Sequence, residues 1–197
     1  MKKSIIILVT SIMLLATVQT TKAQFTSSEG SPKTFIGVGT SINEIGYVGF
    51  AIEAQLVNRL ALVGHAGVGS WGYKLGGGLQ YYLKKSGYGS AMNIGYTYAT
   101  GLNNFKYSLE TEPYGDKEDV TLDLLGTSTV NVAYAYNFRI RGKNKLALTA
   151  GYSIPLETNH YNIKTSGVEL NDNSQQVLDI IAPGGFILGV KYMFGIN

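Results

Sequence analysis

From Thr34 to Phe194 the chain alternates apolar with small or polar residues in stretches of about ten, each closed by a turn, and the pattern recurs eight times. A period of two puts every second side chain on one face, so each stretch reads as a strand with a single apolar face. Ile36, Val38 and Ile42 mark the first, and Val48, Phe50, Ile52, Ala54 and Leu56 the second; Asn43-Glu44 and Asn58-Arg59 are turns. The third, about Leu60 to Ser70, is less clear, because Leu62, Ala66 and Val68 compete with Ala61 and Val63 for the outer face. In the fourth, Tyr73, Leu75, Leu79, Tyr81 and Leu83 oppose Lys74, Gln80, Tyr82 and Lys84; Met92, Ile94, Tyr96 and Tyr98 carry the fifth. Val130 to Phe138, Leu146 to Ile154 and Phe186 to Phe194 complete the set, with Pro155 ending the seventh because it cannot donate to a ladder.

Eight such strands predict an all-β chain closed as an antiparallel up-and-down barrel. Parity then orders its connections. The two long stretches, 102–128 and 157–183, follow the fifth and seventh strands and so lie at one end. The short turns near Asn58, Lys85 and Gly142 lie at the other. Both long stretches read as polar, solvated loops. Ten of the 13 acidic residues fall in them: Glu110, Glu112, Asp116, Glu118, Asp119 and Asp123 in the first, Glu157, Glu169, Asp172 and Asp179 in the second. Arg59, Lys84, Lys85, Arg141, Lys143 and Lys145 are placed at the opposite end. Trp71, Tyr73, Tyr96 and Tyr98 form one aromatic belt, and Tyr81, Phe138, Tyr192 and Phe194 a second, as two lipid interfaces would select.

Residues 1–23 read as a cleavable export leader. Lys2 and Lys3 precede an apolar stretch from Ile5 to Val18, too short for the roughly 20 residues of a spanning helix, and Thr21-Lys22-Ala23 offers a cut before Gln24. The leader takes Lys2, Lys3 and Lys22, leaving 13 basic against 13 acidic residues. The basic balance therefore gives no support for a nucleic-acid partner. With no cysteine there is neither an acylation site for a lipoprotein nor a disulfide framework. Residues 24–33 are a polar lead-in, and 34–197 the barrel domain. An exported chain of alternating strands predicts a transmembrane barrel of the bacterial outer membrane, with short periplasmic turns and two long extracellular loops.

The last strand sharpens this expectation. Gly189, Val190, Lys191, Tyr192, Met193 and Phe194 follow the order glycine, two residues, hydrophobe, one residue, aromatic. In this, and in its strand pattern, the chain resembles the small eight-stranded outer-membrane barrels of the OmpA and OmpX type, over about Thr34 to Phe194. Ile187 stands where a polar residue is usual, and Gly195-Ile196-Asn197 follow the aromatic. The resemblance implies a fold, outer-membrane lipids and lipopolysaccharide as surroundings, and the barrel-insertion machinery as a partner; it implies no activity.

Candidate chemistry is sparse. Gly67-Val68-Gly69-Ser70-Trp71-Gly72 satisfies a dinucleotide fingerprint, yet strand-like residues follow where a helix is required, and no acidic residue occurs between Glu53 and Glu110. His65 is expected in the lumen, and His160 with Glu157 and Ser166 is the one constellation with hydrolase-like residue types. Gly115-Asp116-Lys117-Glu118-Asp119 and Asn171-Asp172-Asn173 are rich in hard-cation ligands but match no calcium loop. No catalytic, cofactor-binding or metal residue is assigned. The inward register collects Glu53, Gln55, His65, Lys74, Gln80, Asn93, Thr97, Asn131, Asn137, Arg139, Thr149, Ser153 and Lys191, a polar plug in which Glu53 is expected to pair with Lys191, Arg139 or both.

The expectation is thus a non-enzymatic barrel whose outer loops serve adhesion, surface or partner interaction. The alternatives are a lipid- or peptide-hydrolysing enzyme, a narrow porin-like channel, and a soluble lipocalin-like barrel that would turn Val48, Phe50 and Ile52 inward.

Overall fold

The computed structural model describes residues 33–111, 117–165 and 170–196. The expected leader, nearly all of the lead-in, and Glu112, Asp116, Ser166 and Glu169 lie outside them.

Eight strands close into one antiparallel barrel: β1 (Thr34–Ile42), β2 (Gly46–Val57), β3 (Leu60–Gly69), β4 (Gly72–Tyr82), β5 (Gly89–Ala99), β8 (Thr127–Arg139), β9 (Lys145–Pro155) and β11 (Gly185–Ile196). They are the eight stretches marked by the sequence pattern. Each pairs with its neighbour in the series, and β1 meets β11 to seal the wall, Thr34 opposite Ile196 and Ile42 opposite Leu188.

The wall is apolar outside and polar inside. Val48, Phe50 and Ile52 are exposed, at 64%, 69% and 49%, so the lipocalin-like arrangement does not hold. In β3 the ambiguity resolves with Leu62 and Val68 outward and Ala61 fully buried. Inward positions are mostly polar or small, Glu53, Gln80, Asn131, Thr149 and Ser153 lying among Ala51, Ala61, Ala91, Ala133 and Ala147, with Phe35, Tyr82, Ile187 and Met193 as larger buried side chains. An eight-stranded barrel leaves just enough width for side chains to fill it, so small residues make room for the long ones.

The two long stretches are not unstructured loops. In the first, β6 (Leu102–Glu110) pairs antiparallel with β7 (Lys117–Leu124), and the second stretch supplies β10 (Tyr161–Ile163) and a helix, α1 (Asp172–Ile181). β10 pairs with β7, giving a three-stranded sheet in the order β10-β7-β6 with α1 against it. This cap sits at one end of the barrel, opposite the short turns. It corrects the reading of solvated polar loops. The cause is apolar content at structural spacing: Val120, Leu122 and Leu124 share one face of β7 and are buried with Leu109, Leu170 and Leu178.

Candidate functional site

Two regions concentrate interactions: the lumen and the cap. In the lumen, Glu53 faces inward as expected, but its partner is Lys145, whose Nζ lies 2.7 Å from Oε2. The Tyr82 hydroxyl donates to the other carboxylate oxygen at 2.6 Å, and Gln80 Nε2 to Oε2 at 3.3 Å. Lys145 donates further to the Tyr82 oxygen at 2.7 Å and lies 3.9 Å from the centre of the Phe35 ring. A buried charge pair is tolerable only when its remaining hydrogen-bonding capacity is also met, and this one comes close to that limit.

The expected partners fail on register. Phe35 is level with Glu53 on one side and Gly195 on the other, whereas Gly39 is level with Gly49 and Lys191. Lys191 therefore stands four residues, about 13 Å, nearer the cap than Glu53. It pairs at 2.7 Å with Glu44. Arg139 is exposed at the turn end, its guanidinium 5.2 Å from the centre of the Tyr88 ring. Lys145, placed among the rim cations from sequence, is fully buried.

Glu44 reaches Lys191 because the β1–β2 turn folds into the barrel mouth. Asn43 takes a left-handed backbone, φ 63°, and its side-chain amide donates to the carbonyl oxygens of Gly184 and, at 3.1 Å, Phe186. Ile45 is then fully buried against Gly49 and Gly67, where a β-carbon would collide with its side chain or backbone. This close approach accounts for the first glycine of the Gly67–Gly72 run, which spans the β3–β4 hairpin and leads into no helix.

His65 lies in the lumen as expected, with Nε2 3.0 Å from the Thr97 hydroxyl. Thr97 accepts from Asn131 at 2.8 Å, and Ser153 donates to Asn131 at 2.7 Å. Two cavities of about 20 Å³ each remain between these side chains, room for about one water apiece.

The cap is organised by Trp71. The sequence placed it in an aromatic belt, but it is fully buried at the heart of the cap cluster, and its indole N–H donates to the Leu125 carbonyl at 2.8 Å. The other aromatics do face outward: Tyr73, Tyr96 and Tyr98 toward the cap, Tyr81, Phe138 and Phe194 toward the turns, with Tyr192 half-buried and hydrogen-bonded by Asn144. Asn171 is the N-cap of α1, its side-chain oxygen accepting from the Ser174 N–H at 2.9 Å, so that oxygen serves the start of the helix. Glu110 accepts from Asn171 at 3.0 Å, and hydrogen bonds from Asn171 and Asn173 hold its carboxyl below the usual range. Asp123 is lowered likewise, first by the Asn104 N–H and then by Lys164, 3.0 Å away.

Glu157 and His160 lie on the same segment between β9 and β10. Glu157 accepts from the Ser128 N–H at 2.7 Å, while His160 Nδ1 is buried with no hydrogen-bond partner among the described residues. Ser166 lies outside those residues, so no triad is assembled by what is described. The signals missed in the sequence were the alternation of Val120, Leu122 and Leu124, and the Asn-capped amphipathic run from Asp172 to Ile181.

Neither a protein-family model nor a curated protein sequence matches this chain. The class is therefore set by the structure alone: an eight-stranded antiparallel barrel with polar contents and a folded cap.

Proposed function

We propose that this protein is a non-enzymatic integral barrel of the bacterial outer membrane, exported by a leader cut after Ala23. Its acidic cap stands outside the cell and serves adhesion, surface or partner interaction. One observation carries the reading. The closed wall presents Phe50, Leu75, Ile94, Tyr134 and Leu188 outward while burying Glu53, Lys145 and Asn131. That inversion is favourable only where lipid replaces water around the wall, because apolar area costs about 25 cal/mol per Å² when left in water. The packed lumen supports a barrel that does not conduct, and the acidic content of the cap supports interaction with cationic or cation-bridged surfaces. Outer-membrane lipids and lipopolysaccharide would surround the wall, and β11 would present the recognition strand to the insertion machinery.

The test is direct. Unboiled protein from detergent should migrate differently from boiled protein on a gel, partition with membranes, and begin at Gln24. Partition to the soluble fraction with no heat-dependent mobility would overturn the membrane reading.

A further inference from the structure

Among the described residues, every exposed charged side chain at the turn end of the barrel has the same sign. Arg59 on the β2–β3 turn, Lys84 and Lys85 on the β4–β5 turn, and Arg139, Arg141 and Lys143 about the β8–β9 turn are all exposed. Glu53, the acidic side chain nearest that end, is buried against Lys145. One groove gathers two of these cations. It has a volume of about 280 Å³ and runs between the β4–β5 turn and the end of β8, lined by Lys84 and Ser86 on one side and Tyr136, Phe138 and Arg139 on the other. Gly89, with φ 82°, leaves its floor open, because a β-carbon there would touch nothing closer than Lys84, 3.8 Å away.

Arg139 is oriented before any ligand arrives. Its guanidinium lies over the Tyr88 ring, 5.2 Å from the centre, and its Nε donates to the Gly142 carbonyl at 3.5 Å. Tyr88 is fixed in turn, its hydroxyl donating to the Lys143 carbonyl at 3.0 Å. Both terminal nitrogens of Arg139 are left without a hydrogen-bond partner among the described residues, and so is the Lys84 ammonium. A planar fork with a second cation beside it suits the oxygens of a phosphate. The outward side of the groove is apolar: the Tyr136 and Phe138 rings pack with centres 4.5 Å apart on the exposed face of β8.

We propose that this groove holds one anionic phospholipid of the leaflet at the turn end, its phosphate between Arg139 and Lys84 and its chains along Tyr136 and Phe138. The inference rests on the membrane reading above, which puts the turns on the periplasmic side, where the leaflet is phospholipid and not lipopolysaccharide. A headgroup of net negative charge is preferred to a zwitterion, because the ammonium of the latter would meet cations and no exposed carboxylate among the described residues of that end.

The protein in a non-ionic maltoside micelle is titrated with equal amounts of phosphatidylglycerol and phosphatidylethanolamine bearing the same chains, and retained lipids are counted by native mass spectrometry. One phosphatidylglycerol per barrel is expected, preferred roughly five- to tenfold, as two partly screened charge contacts allow. Lys84→Gln alone, at an exposed turn residue, should cut the preference about two- to threefold, and the Lys84→Gln, Arg139→Gln double variant should abolish it, with heat-dependent gel mobility reading the fold of each. The Arg59→Gln, Arg141→Gln variant removes the same charge from the same end but outside the groove, and should keep the preference. No preference in the parent, or a preference that survives the groove variant, overturns the proposal. So does an equal loss in both double variants, which would mean a diffuse basic collar and no site. Flotation of the same protein with phosphatidylcholine vesicles reads the membrane question separately: failure to float removes both readings, whereas flotation without headgroup preference removes this one alone.

Discussion

The barrel and its cap follow opposite rules of burial. In the wall, Phe50 and Leu188 are exposed while Glu53 and Lys145 are hidden; in the cap, Leu122 and Leu178 are hidden while Glu118 and Asp119 are exposed. Trp71 stands at the change, at the tip of the β3–β4 hairpin by chain position and in the cap by burial. A cap of that composition is stable with water around it, and a wall of the other composition with a nonpolar surround. On the proposed membrane reading, one chain meets two solvents, divided near the level of Trp71.

The sharpest way to break this comparison is to remove the charge that the lumen hides. Lys145→Ala leaves Glu53 buried without its counter-charge and should cost about 3–5 kcal/mol, read from denaturant unfolding of the barrel in micelles by gel mobility. A loss below about 1 kcal/mol would show that water reaches Glu53 and that the lumen is not sealed. Leu178→Ala removes a fully buried side chain from the cap, a loss of about 2–4 kcal/mol. Trp71, the only tryptophan, reports the consequence. Its emission should shift red at lower denaturant than in the parent while the heat-dependent mobility of the barrel stays unchanged. If emission and mobility still change together, cap and barrel are one cooperative unit.

Smaller perturbations sharpen the difference further. Asn171→Ala deletes the cap of α1 and should cost about 1 kcal/mol, seen as faster amide exchange at Ser174 with the barrel strands unaffected. Acid should act on the cap in the same direction. The Glu110 and Asp123 carboxyls are depressed in the folded protein, so the unfolded chain takes up their protons more readily. Their contribution is complete above the ordinary carboxylate range and fades as pH falls through their depressed folded values. Trp71 emission should accordingly drift red on acidification before the barrel loses its mobility shift.

What the sequence made legible follows from distance along the chain. Phe50 and Ile52, or Tyr134 and Tyr136, announce their shared face locally, and all eight wall strands were found that way. Glu53 was placed in the lumen by the same parity. Its partner was not, because Lys145 meets it across the barrel, and the relative heights of β2, β9 and β11 depend on stagger set by the whole ring. The cap was obscured for a different reason. Val120, Leu122 and Leu124 alternate with Thr121 and Asp123 inside a strongly acidic stretch, and the polarity of the average hid the period. Trp71 looked like a belt residue since nothing near it in the chain reveals the β6–β7 pair folded over it. The groove between Lys84 and Arg139 joins the β4–β5 turn to β8, a meeting that no local pattern announces.

The seam between β1 and β11 has a kinetic consequence. The first strand of the barrel can find its second partner only after the last strand has been made, since Thr34 must meet Ile196 and Ile42 must meet Leu188. Until then β1 and β9 each present an open row of backbone donors and acceptors, which invites pairing with other chains. Closure is a long-range, late event, and such topologies fold slowly. Asn43, already poised on its left-handed backbone and able to seize Gly184 and Phe186 as they arrive, is placed to catch the incoming strand at its leading end and set its register.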